Sequence, residues 1–169
     1  MSNKIKNLLC LPQNNHGKMP DPPINLYEHL PFQIGMVTNL IRQVTSDVYI
    51  RQSGLSAREW RVLAMLGCKG AMMPAQVAKD CGMDRATITR AVKNLEKLDY
   101  VFIGGDAADR RRKVLYLTDK GVEICEKIRP AMKARGLELQ AVLSKTELKY
   151  YYQIMDKLQK KATRMLSEL

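Results

Sequence analysis

Residues 73–100 read "MPAQVAKDCGMDRATITRAVKNLEKLDY", and the fold turns on how they are parsed. Pro74 has no N–H to satisfy, which suits the first turn of a short helix. Gly82 can end that helix, and Asp84 can cap the next one. On the second helix Ile88, Val92, Leu95 and Leu98 recur at helical spacing and form a stripe to be buried, while Ala86, Thr89, Arg90, Lys93 and Lys97 lie opposite. Two helices joined by a tight turn containing glycine spell a helix-turn-helix, and the outer face of its second helix is small and basic.

The chain on either side extends the pattern. Tyr100–Ile103 and Lys113–Leu117 are rich in β-branched and aromatic residues and read as two strands, with the loop Gly-Gly-Asp-Ala-Ala-Asp between them. The stretch "GGDAADRRRKVLYLTDKG", residues 104–121, is therefore a hairpin with a basic tip. Upstream, "LSAREWRVLAMLG" opens on Ser56 with Glu59 three residues on, a capping box, and Leu55 and Trp60 hold the hydrophobic-staple positions. Gly67 and Gly70 supply its stop. An earlier helix begins near Leu30, with Pro31 in its first turn and Val37, Leu40, Ile41, Val44 and Val48 at helical spacing, and ends near Gln52–Gly54. Downstream, Thr118 caps a long helix past Val122, Cys125 and Ile128, in which Pro130 is expected to make a kink. Ser144 and Glu147 form a second capping box, with Leu143 and Leu148 at the staple positions, ahead of a last helix carrying Tyr151, Met155, Leu158 and Ala162. Residues 1–23, with Pro12, Pro20, Pro22 and Pro23, keep no helical period and read as an extended or disordered arm.

The expected fold is mainly α: a winged helix-turn-helix with a small β-hairpin wing and a helical dimerisation region built from both terminal segments. The divisions are 1–23 for the arm, 24–54 for an N-terminal dimerisation helix, 55–121 for the helix-turn-helix with its wing, and 122–169 for C-terminal dimerisation helices. Segments 30–52 and 122–169 carry more apolar helix than the small central module can cover. Pairing two chains would bury it and set two recognition helices about one DNA turn apart.

Charge points the same way. A chain of 169 residues that is 46% hydrophobic can bury a core, and a net charge of +11 calls for a polyanionic partner. A helix fits the DNA major groove, so Arg85, Ala86, Thr87, Thr89, Arg90, Lys93 and Lys97 are the candidate contacts on the recognition helix. The hairpin must lie beside that helix, with its tip near the adjacent minor groove, whose focused negative potential attracts arginine. Arg110, Arg111 and Arg112 are the candidate probe, with Asp109 orienting one of them.

Other classes find little support. There is no nucleotide-binding glycine loop and no Ser/His/Asp set, so an enzyme is not expected. His29 stands alone at a helix start. The four cysteines include no C-x-x-C pair, which leaves no metal site or cofactor to expect. Cys68, Cys81 and Cys125 are expected in the core, and Cys10 in the arm is the one expected to be exposed. No apolar run reaches the roughly 20 residues of a membrane helix, so a cytoplasmic protein without a membrane partner is the default.

At this point the sequence resembles a known family. "CGMDRATITRAVKNLEKLDYV" followed by "DRRRKVLYLTDKG" is similar to the MarR family of transcriptional regulators, whose signature is an Asp-x-Arg wing and then Leu-Thr-x-x-Gly. Here these are Asp109, Arg111, Leu117, Thr118 and Gly121. The resemblance covers about residues 30–169. It implies a winged helix-turn-helix, an intertwined homodimer on a pseudo-palindromic operator, and regulation by a small molecule or an oxidant. Two positions depart from the pattern: many members have Gly at the end of the recognition helix where this chain has Asp99, and many have Arg on the wing strand where it has Ile103. The resemblance also implies a ligand cleft between the dimer helices and the DNA module. His29, Phe32, Met36, Asn39, Arg42 and Trp60 are the candidate lining, with Arg42 meeting the carboxylate of an aromatic acid or its thioester. The expected function is a repressor released from its operator by that ligand. An architectural DNA protein without a ligand and a thiol-based redox regulator are the alternatives.

Overall fold

A computed structural model describes residues 25–105 and 112–168 of the chain. The arm, Cys10, and the wing residues Asp109, Arg110 and Arg111 lie outside the described residues. In chain order the elements are α1 (Leu30–Ser53), α2 (Ala57–Lys69), α3 (Pro74–Cys81), α4 (Arg85–Lys97), β1 (Val101–Gly105), β2 (Lys113–Leu117), α5 (Asp119–Gln140) and α6 (Lys145–Ser167). The helix-turn-helix is α3 and α4, and the wing is the antiparallel pair β1 and β2, in register from Val101 opposite Leu117 to Gly105 opposite Lys113.

The chain divides within α1, after Asn39, into two units. In the first, the Nε2 of Gln33 donates to the carbonyl of Tyr27 at 3.1 Å and ties the turn before α1 to its first residues. The second unit holds the core. Leu55, Val62, Leu63, Leu66, Val77, Ile88, Leu95 and Leu115 are almost wholly removed from water there, and truncating one such leucine to alanine costs about 2–5 kcal/mol. Ile88, Val92 and Leu95 of the expected α4 stripe are buried, joined by Ala91.

The helix starts obey their local chemistry. Ser56 and Glu59 form a full capping box at α2, and Ser144 and Glu147 another at α6. Thr118 caps α5 by accepting from the Gly121 N–H at 3.0 Å. At α3, Met73 stands in the N-cap position without a side-chain bond, and Pro74 opens the helix.

Several expectations are corrected. Gly67 does not stop α2, because it lies inside the helix, and Gly70, at φ 80°, is the terminator. Gly67 faces α5, where an added Cβ would stand 3.6 Å from the Cys125 sulfur, an ordinary contact. Gly104 and Gly105 belong to β1 rather than to the loop. Gly104 lies against the Tyr116 ring, where a Cβ would come within 3.0 Å. Cys68 is exposed, not core, while Cys81 and Cys125 are partly buried. One pairing has no counterpart in the sequence reading: Met72 exchanges both backbone hydrogen bonds with Leu115, at 3.2 and 2.8 Å, and so ties the wing to the loop before α3.

The terminal helices are different in kind. Every residue of α6 is exposed or half-buried in the single chain, Tyr150, Tyr151, Tyr152 and Ile154 among the exposed. On α1, Phe32, Val37, Leu40 and Val44 are exposed as well. Among the described residues, no helix is long and apolar enough to cross a membrane.

Candidate nucleic-acid interface

The outer face of α4 is built from its first residue. The Asp84 carboxylate accepts from the Thr87 N–H at 2.7 Å and from the Thr87 hydroxyl at 2.6 Å. The hydroxyl bond, then the backbone bond, holds the Asp84 carboxyl below its ordinary value. Thr87 is therefore a correction to the expected contacts. It is buried, and its oxygen also accepts from Arg90 at 3.3 Å, so it fixes the helix start instead of facing outward. Arg85, Ala86, Thr89, Arg90, Lys93 and Lys97 are all exposed, as expected. The Thr89 hydroxyl donates to the Arg85 carbonyl at 2.9 Å, which leaves its lone pairs able to accept from a base amino group.

Two sets of bonds hold α4 in place. At its middle, the Asn94 amide donates to Oε1 of Glu59. The other Glu59 oxygen accepts from the Ser56 N–H at 2.6 Å. Burial pushes the Glu59 carboxyl up, but the bonds from Ser56 and Asn94 outweigh it and leave it lowered. Glu59 so caps α2 and grips the recognition helix with one carboxylate. The sequence shows only the cap, because Asn94 stands 35 residues away and no spacing links them.

At the end of α4 the Tyr100 N–H reaches the Leu95 carbonyl and the Asp99 N–H the Glu96 carbonyl, both at 3.0 Å. This is a Schellman turn. Asp99 takes the left-handed position, φ 59°, where glycine is the usual occupant. The Thr118 hydroxyl then donates to the Asp99 carbonyl at 2.6 Å, and the Lys120 ammonium to that of Leu98 at 2.8 Å. At Gly121 a Cβ would stand 2.0 Å from the Tyr100 carbonyl oxygen. The Leu-Thr-x-x-Gly motif thus has a physical content. Threonine caps α5 and ties it to the end of α4, and glycine makes room for the chain between them.

Of the wing residues, Arg112 is described and exposed, immediately before β2. Below it Phe102 and Tyr116 stack with ring centroids 5.1 Å apart, and the Tyr116 hydroxyl donates to the Gly105 carbonyl at 3.1 Å.

The residues expected around an effector fall on both units of the chain. His29, Phe32, Met36 and Asn39 are exposed on the first unit. Trp60 lines a cavity of about 430 Å³ between α2 and α5, with Leu117, Val122, Cys125, Arg129 and Met132. Arg42 lines a different groove, of about 510 Å³, with Ser56, Arg58, Arg61 and Asp84. Within the single chain Arg42 and Trp60 line separate spaces, and Arg129 shares the cavity of Trp60. Cys68 also lines the Trp60 cavity. Burial pushes the Cys125 thiol up, away from the reactive thiolate. Among the described residues, no three His, Cys, Asp or Glu side chains are placed to hold a metal ion.

Comparison with known proteins agrees with this geometry. Residues 53–112 match a sequence model described as MarR family. The chain is 26% identical over 145 residues to the HTH-type transcriptional regulator PapX of Escherichia coli, a match covering 85% of this chain and 88% of that one. It is 26% identical to a MarR/EmrR family transcriptional regulator from Acinetobacter sp. ADP1, whose crystal structure superposes with a TM-score of 0.78 over 83% of this chain and 99% of the other. The structure of NadR in complex with 4-hydroxyphenylacetate shares the fold, with a TM-score of 0.69 at 20% identity, over 78% and 92% of the two chains. Signature residues, capped recognition helix, wing and these likenesses converge on a winged helix-turn-helix similar to that of MarR-family transcriptional regulators, most directly over residues 53–112.

Proposed function

We propose that the protein is a repressor that binds a pseudo-palindromic operator as a homodimer and leaves it when a small aromatic acid binds. The observation that carries the reading is the two-sidedness of α4. Ile88, Val92 and Leu95 are buried on one face, while Arg85, Arg90, Lys93 and Lys97 are exposed on the other. In the major groove that face offers Thr89 and Arg90 to base edges and the lysines to phosphates. The wing sequence between β1 and β2, which carries Asp109, Arg110, Arg111 and Arg112, meets the neighbouring minor groove in this reading.

The effector site in this reading is the cavity between α2 and α5. Trp60, Leu117, Val122 and Met132 offer apolar surface to a ring, and Arg129 offers a fork to a carboxylate. Arg129 is only loosely engaged, 4.0 Å from Glu126. NadR was crystallised with an aromatic carboxylate, which supports the ligand class. The raised Cys125 thiol favours reversible binding over thiol oxidation at this cavity.

The test is calorimetric. Operator DNA is first recovered by selecting fragments that the protein retains. Titration with 4-hydroxyphenylacetate and related aromatic acids, with and without operator, should show that each ligand weakens the other by the same factor, about 5–150-fold. Arg129→Ala should lose that response while still binding DNA. Equal acid affinity in both titrations for every acid tried removes the effector. Failure to retain any discrete sequence removes the repressor.

A further inference from the structure

Arg42, expected in an effector pocket, stands in a groove with Arg58 and Arg61 of α2, at the start of the recognition helix. A second groove, of about 370 Å³, is lined by Arg58, Glu59, Arg90, Lys93, Asn94 and Lys97. Ser56, Arg58 and Thr87 line both, so the two grooves adjoin and a basic strip follows one side of α4. Between Thr87 and Lys97 it is about 15 Å long at the helical rise per residue.

The acidic groups facing this strip are already engaged. Glu59 is buried under Ser56 and Asn94, and Asp84 is held by Thr87. Arg42, Arg58, Arg61, Arg90, Lys93 and Lys97 are all exposed. The strip is therefore strongly positive, and its two carboxylates are occupied with capping.

We propose that Arg42, Arg58 and Arg61 form a phosphate clamp beside the recognition helix, gripping the DNA backbone outside the bases that α4 reads. This rests on the DNA-binding reading above. A helix with its side chains is about 10–12 Å across and the major groove about 12 Å wide. Side chains that stand beside α4 then meet the phosphate wall of the groove rather than its floor. Three arginines suit that wall, since each planar fork can take two phosphate oxygens at once. Such contacts set register and orientation and carry no sequence information.

The experiment uses the full chain, the selected operator duplex and an unrelated duplex of equal length, over a series of salt concentrations. The triple variant Arg42→Gln, Arg58→Gln, Arg61→Gln should weaken binding to both duplexes by similar factors. Its slope of log affinity against log salt should be shallower by about 0.9 for each phosphate that the variant no longer neutralises. The matching triple change to lysine should keep most of the slope. Phosphate ethylation interference on the unaltered protein needs no variant to fold, and should mark backbone positions flanking the α4 contacts. An unchanged slope, a weakening confined to the operator, or no flanking interference overturns the clamp. Failure of the unaltered protein to bind either duplex overturns the DNA-binding reading instead.

Discussion

Asp99 is a single residue holding a position that its backbone does not favour. At φ 59° an L side chain meets its own carbonyl, and aspartate tolerates this better than most but less well than glycine. Its backbone groups complete the Schellman turn and accept from Thr118, and none of these bonds needs the side chain. Asp99→Gly should therefore stabilise the fold, by about 0.5–1 kcal/mol after allowing for the larger entropy of unfolded glycine. Urea denaturation would show a higher midpoint with an unchanged slope, and a lower midpoint would refute the argument. The position is legible in sequence as a departure from a glycine-bearing pattern. Thr87 is the opposite case. Its hydroxyl looks like one more polar group on a basic helix, and only the Asp84 carboxylate beside it turns it inward.

At the scale of elements, local chemistry is readable in the sequence and distant pairings are not. Both capping boxes, the Asp84 cap and the alternation of α4 depend on neighbours within a few residues, and all stand as expected. Gly67 reads as a stop because glycine commonly ends helices, yet it sits inside α2 and faces Cys125 on another helix. The Met72–Leu115 pairing has no local signal at all. The bridge from α2 to α4 through Glu59 is of this second kind, and it has a pH signature. Its carboxyl is lowered in the folded protein, so its contribution is present above the unfolded value and disappears as pH falls through the folded one. Stability should fall as pH drops below about 4.3, the ordinary glutamate value. Glu59→Gln should be less stable at pH 7 and lose less on acidification. Thermal unfolding of both proteins between pH 7 and pH 3 checks this, and parallel curves would remove Glu59 from the account.

For the whole molecule, the terminal helices pose the main question of energetics. Val142, between α5 and α6, is 82% exposed and Leu166, near the end of α6, 72%, and Tyr150, Tyr151 and Tyr152 are exposed near its start. So many exposed apolar residues on the terminal helices are characteristic of an interface. A second chain packed along these helices would cover them, and a stable association buries roughly 1,200 Å² or more. Sedimentation equilibrium at micromolar concentration should give twice the 19.2 kDa of the chain. A species of one chain mass would contradict the pairing. The sequence displays these stripes plainly, yet a single chain cannot say what covers them.

The union of α5 with the end of α4 has a mechanical consequence. Thr118 and Lys120 are fastened to Asp99 and Leu98, and Gly121 leaves no slack at Tyr100. From that fulcrum α5 extends 22 residues, about 33 Å at the helical rise. It is a crank with its short arm on the recognition helix. A tilt of about 5° would carry its far end by roughly 3 Å over that length. Conversely, a displacement of α5 at its start would meet α4 first through the Thr118, Lys120 and Gly121 joint.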